Sequence, residues 1–290
     1  MAVYKRTYKG YTGSLTAPWS RFLILPRFAW AGLFQNRFLT IFYALCFFYP
    51  LGCLLTIYLN SNLQFIGQFM KVPEGGILEI GNKFFFYLTN VQGSLAFLLT
   101  CFIGPGLISP DLVNNALPLY FCRPFTRTEY VAGKMAALAV LLSWITWVPG
   151  LLLFGVQASL ADKAWLDKNL WIAGSILAAN LIWILLISLV ALAISAWVRW
   201  KIVAGALMLV VFFLGAGLGA AINQAMNTTR GSWLDIGANI TRVWWELFDI
   251  EMPLGRDTIP NQEAWASLIL FCAVALWLLW KKVRAYEVVG

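Results

Sequence analysis

The chain has 290 residues, 61% of them hydrophobic and only 12% charged, with a mean hydropathy of +0.75. A soluble domain carries about 25% charged residues, so no polar surface can wrap this much apolar mass, and lipid is the remaining solvent. The net charge is +8 and there is no histidine, which excludes imidazole catalysis and His-ligated metals; the basic residues flank apolar runs, a pattern of topology and anionic lipid rather than of nucleic acid.

In chain order, residues 1–37 carry Lys5, Arg6, Lys9, Arg21, Arg27 and Arg37 but no clean apolar run ending in small residues, so no cleavable signal peptide is expected. Residues 19–37 mix Trp19, Phe22, Leu25, Phe28 and Leu33 with three arginines, the pattern of a basic amphipathic helix lying in the membrane interface. Pro26 argues for a break or a late start of that helix. Six runs then approach the ~20 apolar residues that a span requires: 38–59, 84–108, 135–157, 170–198, 202–221 and 265–280. The last is short, and Lys281 and Lys282 extend it by snorkelling. Four of the five cysteines (Cys46, Cys53, Cys101, Cys272) lie in apolar runs, Cys122 does not, and none forms a CxxC pair; they read as small buried hydrophobes.

The connecting segments sort by charge. Residues 1–37, 109–134, 199–201 and 281–290 together hold 14 Lys and Arg against 3 Asp and Glu, and the remaining segments hold 7 against 10. Basic segments stay in the cytoplasm, so both termini are expected there, in a plasma (inner) membrane protein. Segment 222–264, on the other side, is long and rich in Trp244, Trp245, Leu247 and Phe248; short interfacial or re-entrant helices are expected there, against the outer end of the last span.

The six apolar cores contain no Asp, Glu, Lys or Arg, the usual mark of proton relays and ion-coupled carriers. Uncharged polar residues do occur within them, among them Thr89, Asn90, Gln92, Ser94 and Asn180, read chiefly as helix–helix hydrogen bonds, with a substrate path or dimer seam as the functional alternative. Gly215 and Gly219 form a GxxxG pattern for close helix approach, a packing seam within or between subunits. Gly133-Lys134 lacks the rest of a Walker A motif, so the chain is not its own P-loop motor.

The most informative stretch is residues 109–134, SPDLVNNALPLYFCRPFTRTEYVAGK. Asp111 is placed to cap a helix beginning at Leu112, with helical character from Leu112 to Tyr120 up to Pro118. Arg123-Pro124 imposes an extended turn. Thr126 and Glu129 form a capping box for a new helix, which would carry Tyr130 and Lys134 to the membrane face of the third span. Arg123, Arg127 and Lys134 supply charge to a partner, and Phe121, Phe125 and Tyr130 supply anchors.

Asp111, Leu117–Leu119, Arg123-Pro124-Phe125-Thr126-Arg127-Thr128-Glu129-Tyr130 and Gly133-Lys134 together resemble the segment between the second and third spans of ABC transporter permeases of the type-2 exporter class. The local match covers about 25 residues; the rest of the likeness is architectural. The resemblance implies an all-α polytopic fold, a single permease domain over 1–290 with six spans, an interfacial N-terminal helix and a cytoplasmic coupling helix. It implies pairing with a second permease subunit, as homo- or heterodimer, to form the path. It also implies docking on a separate cytoplasmic ABC ATPase subunit, which would hold ATP and Mg2+; no cofactor is expected in this chain, nor any catalytic or metal-ligating residue. The coupling residues would be Asp111, Arg123, Pro124, Phe125, Arg127, Glu129, Tyr130 and Lys134. Two other readings stay open: a stand-alone secondary carrier or channel, which needs a polar path at mid-membrane, and a non-transporting membrane scaffold or sensor.

Overall fold

The computed structural model describes residues 24–62, 79–117, 126–251 and 259–283, and all regular structure among them is helical. Among the described residues, six stretches are long and apolar enough to cross a membrane: Arg37–Ser61, Asn82–Val113, Arg127–Leu160, Lys163–Trp197, Lys201–Met226 and Asn261–Lys282. There is one for each expected span, and the protein is a multi-pass membrane protein. The first is built from α2 (Arg37–Leu45) and α3 (Phe48–Ser61), the second from α4 (Asn82–Ile103) and α5 (Pro105–Val113), and the third from α6 (Arg127–Ile145) and α7 (Trp147–Leu160). Single helices α8 (Lys163–Trp197), α9 (Lys201–Met226) and α11 (Asn261–Lys282) make the fourth, fifth and sixth.

Prolines explain the three broken spans. Pro50, Pro105 and Pro149 each lack an N–H and crowd the carbonyl four residues back, and each break lies just before one of them, at Cys46-Phe47, Gly104 and Thr146. A carbonyl freed this way in an apolar medium requires a partner. That of Cys46 accepts from Gln92 Nε2 at 3.1 Å, so one polar side chain of the second span closes the gap in the first. That of Cys101 abuts Gly205 of α9, where an added Cβ would lie 2.6 Å from the oxygen; only glycine lets the two backbones come this close.

α8 is the central pillar, packed against α4, α5, α6, α7, α9 and α11. Its most apolar window is 72% buried, against 17% for the first span and 28% for each of the fifth and sixth. Those three spans therefore form the flanks that meet lipid or another subunit. Before the first span, α1 (Ile24–Leu33) lays Leu25, Ala29, Trp30 and Leu33 against the body, with Trp30 Nε1 donating to the Ala137 carbonyl of α6 at 2.9 Å.

The stretch expected to hold short helices contains a 3-10 turn (Arg230–Leu234) and α10 (Ile236–Leu247). Asp235 caps α10 by accepting from Ala238 N at 2.9 Å, and α10 packs on α11. Trp244 penetrates furthest. Its ring edge fills the space that a Cβ on Gly93 would take, its Nε1 donates to the Ala179 carbonyl at 3.2 Å, and it meets Trp183 edge-on at 5.8 Å.

The GxxxG pair packs against the chain itself. A Cβ on Gly215 would lie 2.5 Å from the Leu234 oxygen, and one on Gly219 would lie 2.6 Å from the Gly231 oxygen. The chain's own 3-10 turn occupies this face, so Gly215 and Gly219 form a packing seam within the chain.

Candidate functional site

The second and third spans are joined where α5 ends and α6 begins. α5 terminates in a Schellman arrangement: Ala116 N donates to the Asp111 carbonyl at 2.8 Å and Asn115 N to that of Leu112 at 3.4 Å. Asn115 takes the left-handed conformation, φ 50°, which asparagine tolerates better than most residues. The expected helix from Leu112 to Tyr120 is therefore interrupted after Val113. Asp111 is not the N-cap of a new helix either; it lies in the last turn of α5, with its side chain turned towards α6.

Tyr130 and Lys134 sit one turn apart on the same face of α6. The Tyr130 hydroxyl donates to Asp111 Oδ2 at 2.6 Å, and Lys134 Nζ lies 2.8 Å from the same oxygen. The ammonium is also 5.5 Å from the centre of the Tyr130 ring, within cation–π range. Tyr130 is 0% exposed and Lys134 8%, and Asp111–Lys134 is the one ion pair found between described residues. Little water reaches this pair, so its charges must satisfy each other.

This arrangement corrects one expectation. Tyr130 and Lys134 do not offer an anchor and a charge to a partner; they face inward and lock α6 to α5. What α6 exposes at its start is Thr126, Arg127 and Thr128. The capping box forms as expected: Thr126 Oγ1 accepts from Glu129 N at 3.2 Å, and Glu129 Oε2 accepts from Thr126 N at 2.6 Å. Arg123, Pro124 and Phe125, with Phe121 and Pro118, lie outside the described residues.

A second polar joint ties α5 to the pillar. The N–H groups of Ile108 and Ser109, in the second turn of α5 just beyond the Gly104 break, donate to Ser195 Oγ at 3.2 and 3.0 Å. Ser195 Oγ in turn donates to the Pro105 carbonyl at 2.9 Å, and Ser109 Oγ donates to the Val198 carbonyl at 2.6 Å. One hydroxyl thus serves three backbone groups beside the Gly104 break. Ser195→Ala is expected to lower stability by about 1–3 kcal/mol, the penalty of stranding buried backbone groups; reversible unfolding in mixed micelles measures it. The two joints make α5, α6 and the end of α8 one mechanical unit.

Ser195 was not among the residues singled out in the sequence, because an isolated serine in an apolar run carries no local signal. Among the described residues, no cluster of three His, Cys, Asp or Glu gathers to hold a metal. In the comparisons with known proteins, no family model matches the chain and no curated protein matches it.

Proposed function

We propose that this chain is the membrane-spanning permease subunit of an ATP-driven ABC exporter, working as a dimer and coupled to a separate cytoplasmic ATPase subunit. The observation that carries the reading is the inward-facing Asp111–Tyr130–Lys134 cluster. It clamps the two ends of the segment that holds the Arg123-Pro124-Phe125-Thr126-Arg127 motif. A load applied to that segment by a partner passes into α5 and α6 together, and through Ser195 into α8, instead of bending a slack loop. The proline breaks above Cys101 and near Thr146 are the places where the spans can then tilt.

In this reading both termini are cytoplasmic. The supporting argument is the charge balance of the connecting segments, 14 Lys and Arg against 3 Asp and Glu on the side of Arg37, Arg127, Lys201, Lys281 and Lys282, and 7 against 10 on the side of Lys83 and Lys163, read by the positive-inside rule. α1 is the interfacial stay, and Arg127, exposed beside the capping box, meets a carboxylate of the ATPase together with Arg123. The lightly covered first, fifth and sixth spans supply the flank on which a second permease subunit packs.

The test is copurification of the tagged chain in mild detergent, with and without ATP. An ATPase in equal amount is the expected result; a chain that comes out alone and stimulates no hydrolysis overturns the reading in favour of a carrier or scaffold. The Arg123→Ala/Arg127→Ala double variant is expected to keep the wild-type melting temperature while cargo-stimulated ATP hydrolysis falls at least tenfold, as removal of charged interface anchors of 1.4 kcal/mol or more would produce.

A further inference from the structure

α2 and α9 both lean on α4 and leave a lateral slot of about 390 Å3 between them. On one side Phe38 and Phe42 of α2 meet Phe102 edge-on at 5.5 and 6.0 Å. On the other, Gly205 seats α9 against the Cys101 carbonyl. The walls are apolar, and Phe38, Phe102 and Ile202 are 56%, 52% and 80% exposed. The slot has a polar end, formed by Asn36 and Lys201.

Among the described residues, that end is positively charged without compensation. Arg37, Arg199 and Lys201 are all exposed, and none has a carboxylate partner among the described residues, where Asp111–Lys134 is the one ion pair. Asn36 Oδ1 is engaged as the cap of α2, accepting from Phe38 N at 3.0 Å, which leaves its amide N–H groups as donors. Trp200, 75% exposed next to Lys201, marks the headgroup depth at which indole rings settle. An apolar slot open to the bilayer, ending at headgroup level in a lysine and an amide donor, matches an acyl chain with a phosphate at its end. Unpaired cations select a lipid of net negative charge over a zwitterionic one.

We propose that the slot between α2 and α9 binds an anionic phospholipid, its acyl chain on Phe38, Phe102 and Ile202 and its phosphate at Lys201 and Asn36. The site stands independently of the ATPase reading, since neither the clamp nor the Arg123–Arg127 segment contributes to it.

Native mass spectrometry of the full chain, released from nanodiscs of phosphatidylglycerol and phosphatidylcholine in equal parts, tests it. The expected result is preferential retention of phosphatidylglycerol, reduced about fivefold in Lys201→Gln, the worth of one basic residue at a membrane surface. Ala206→Trp, which fills the slot from α9 and leaves every cation in place, is expected to abolish the adduct. Should that variant fail to fold, as judged by circular dichroism and gel filtration, Leu209→Trp fills the same slot one turn on. An adduct that survives slot filling would reduce the effect to diffuse surface attraction and overturn the proposal, as would equal retention of both lipids. A lipid-free dimer that cross-links through Ala206→Cys would place a second copy in the slot, and would likewise overturn it.

Discussion

Asp111→Ala is expected to destabilise the protein by about 3–5 kcal/mol, the usual consequence of removing one member of a buried ion pair. The change strands the Lys134 ammonium, which is 8% exposed, and removes the hydrogen bond from the Tyr130 hydroxyl to Asp111. Reversible unfolding in mixed micelles would show the loss. The paired replacement Asp111→Leu/Lys134→Met is expected to recover the part of that loss due to the stranded ammonium, because apolar side chains of similar volume match or exceed a buried pair in stability. The double variant separates two roles. If the cluster only supports the fold, transport returns with stability. If it transmits load, the refolded double variant stays uncoupled, since a greasy contact slides where a directional ion pair and hydrogen bond resist.

The second large effect is a contrast of sign between two glycines of α9. Gly205→Ala places a methyl group 2.6 Å from the Cys101 carbonyl oxygen. That oxygen is backbone and cannot swing aside, so the helices must part, at an expected loss of about 1–3 kcal/mol. At Gly217 an added Cβ meets nothing within 4 Å, and Gly217→Ala is expected to stabilise the helix by about 0.5–1 kcal/mol. Melting temperatures of the two variants in the same detergent should move in opposite directions. Shifts of the same sign would contradict the close approach of α4 and α9.

The spans were legible in the sequence because twenty apolar residues in lipid have few alternatives to a helix. The capping box at Thr126 and Glu129 was legible because both partners sit within one turn. The clamp was not. Asp111 stands before Leu112, and the local rule makes it a helix cap, but the local rule cannot see Tyr130 and Lys134 on another helix. The start of the third span was placed at Met135 for the same reason: a lone lysine counts against burial, whereas α6 begins at Arg127 and carries Lys134 inside because its counter-charge is waiting there. The GxxxG pair signalled close packing, yet the spacing within one helix says nothing about what arrives opposite. The partner turned out to be a 3-10 turn a few residues further along the same chain.

The seat of Trp244 against Gly93 carries a consequence for the order of synthesis. The slot is made by the second and fourth spans and filled by a residue that leaves the ribosome some fifty positions after the fourth span ends, about 3–10 s later at ~5–20 residues per second. During that interval Gly93 and the indole of Trp183 face an unfilled gap, which lipid or a chaperone must occupy. A released chain truncated before residue 236 would keep the gap open, and is expected to be degraded faster than one truncated after residue 250.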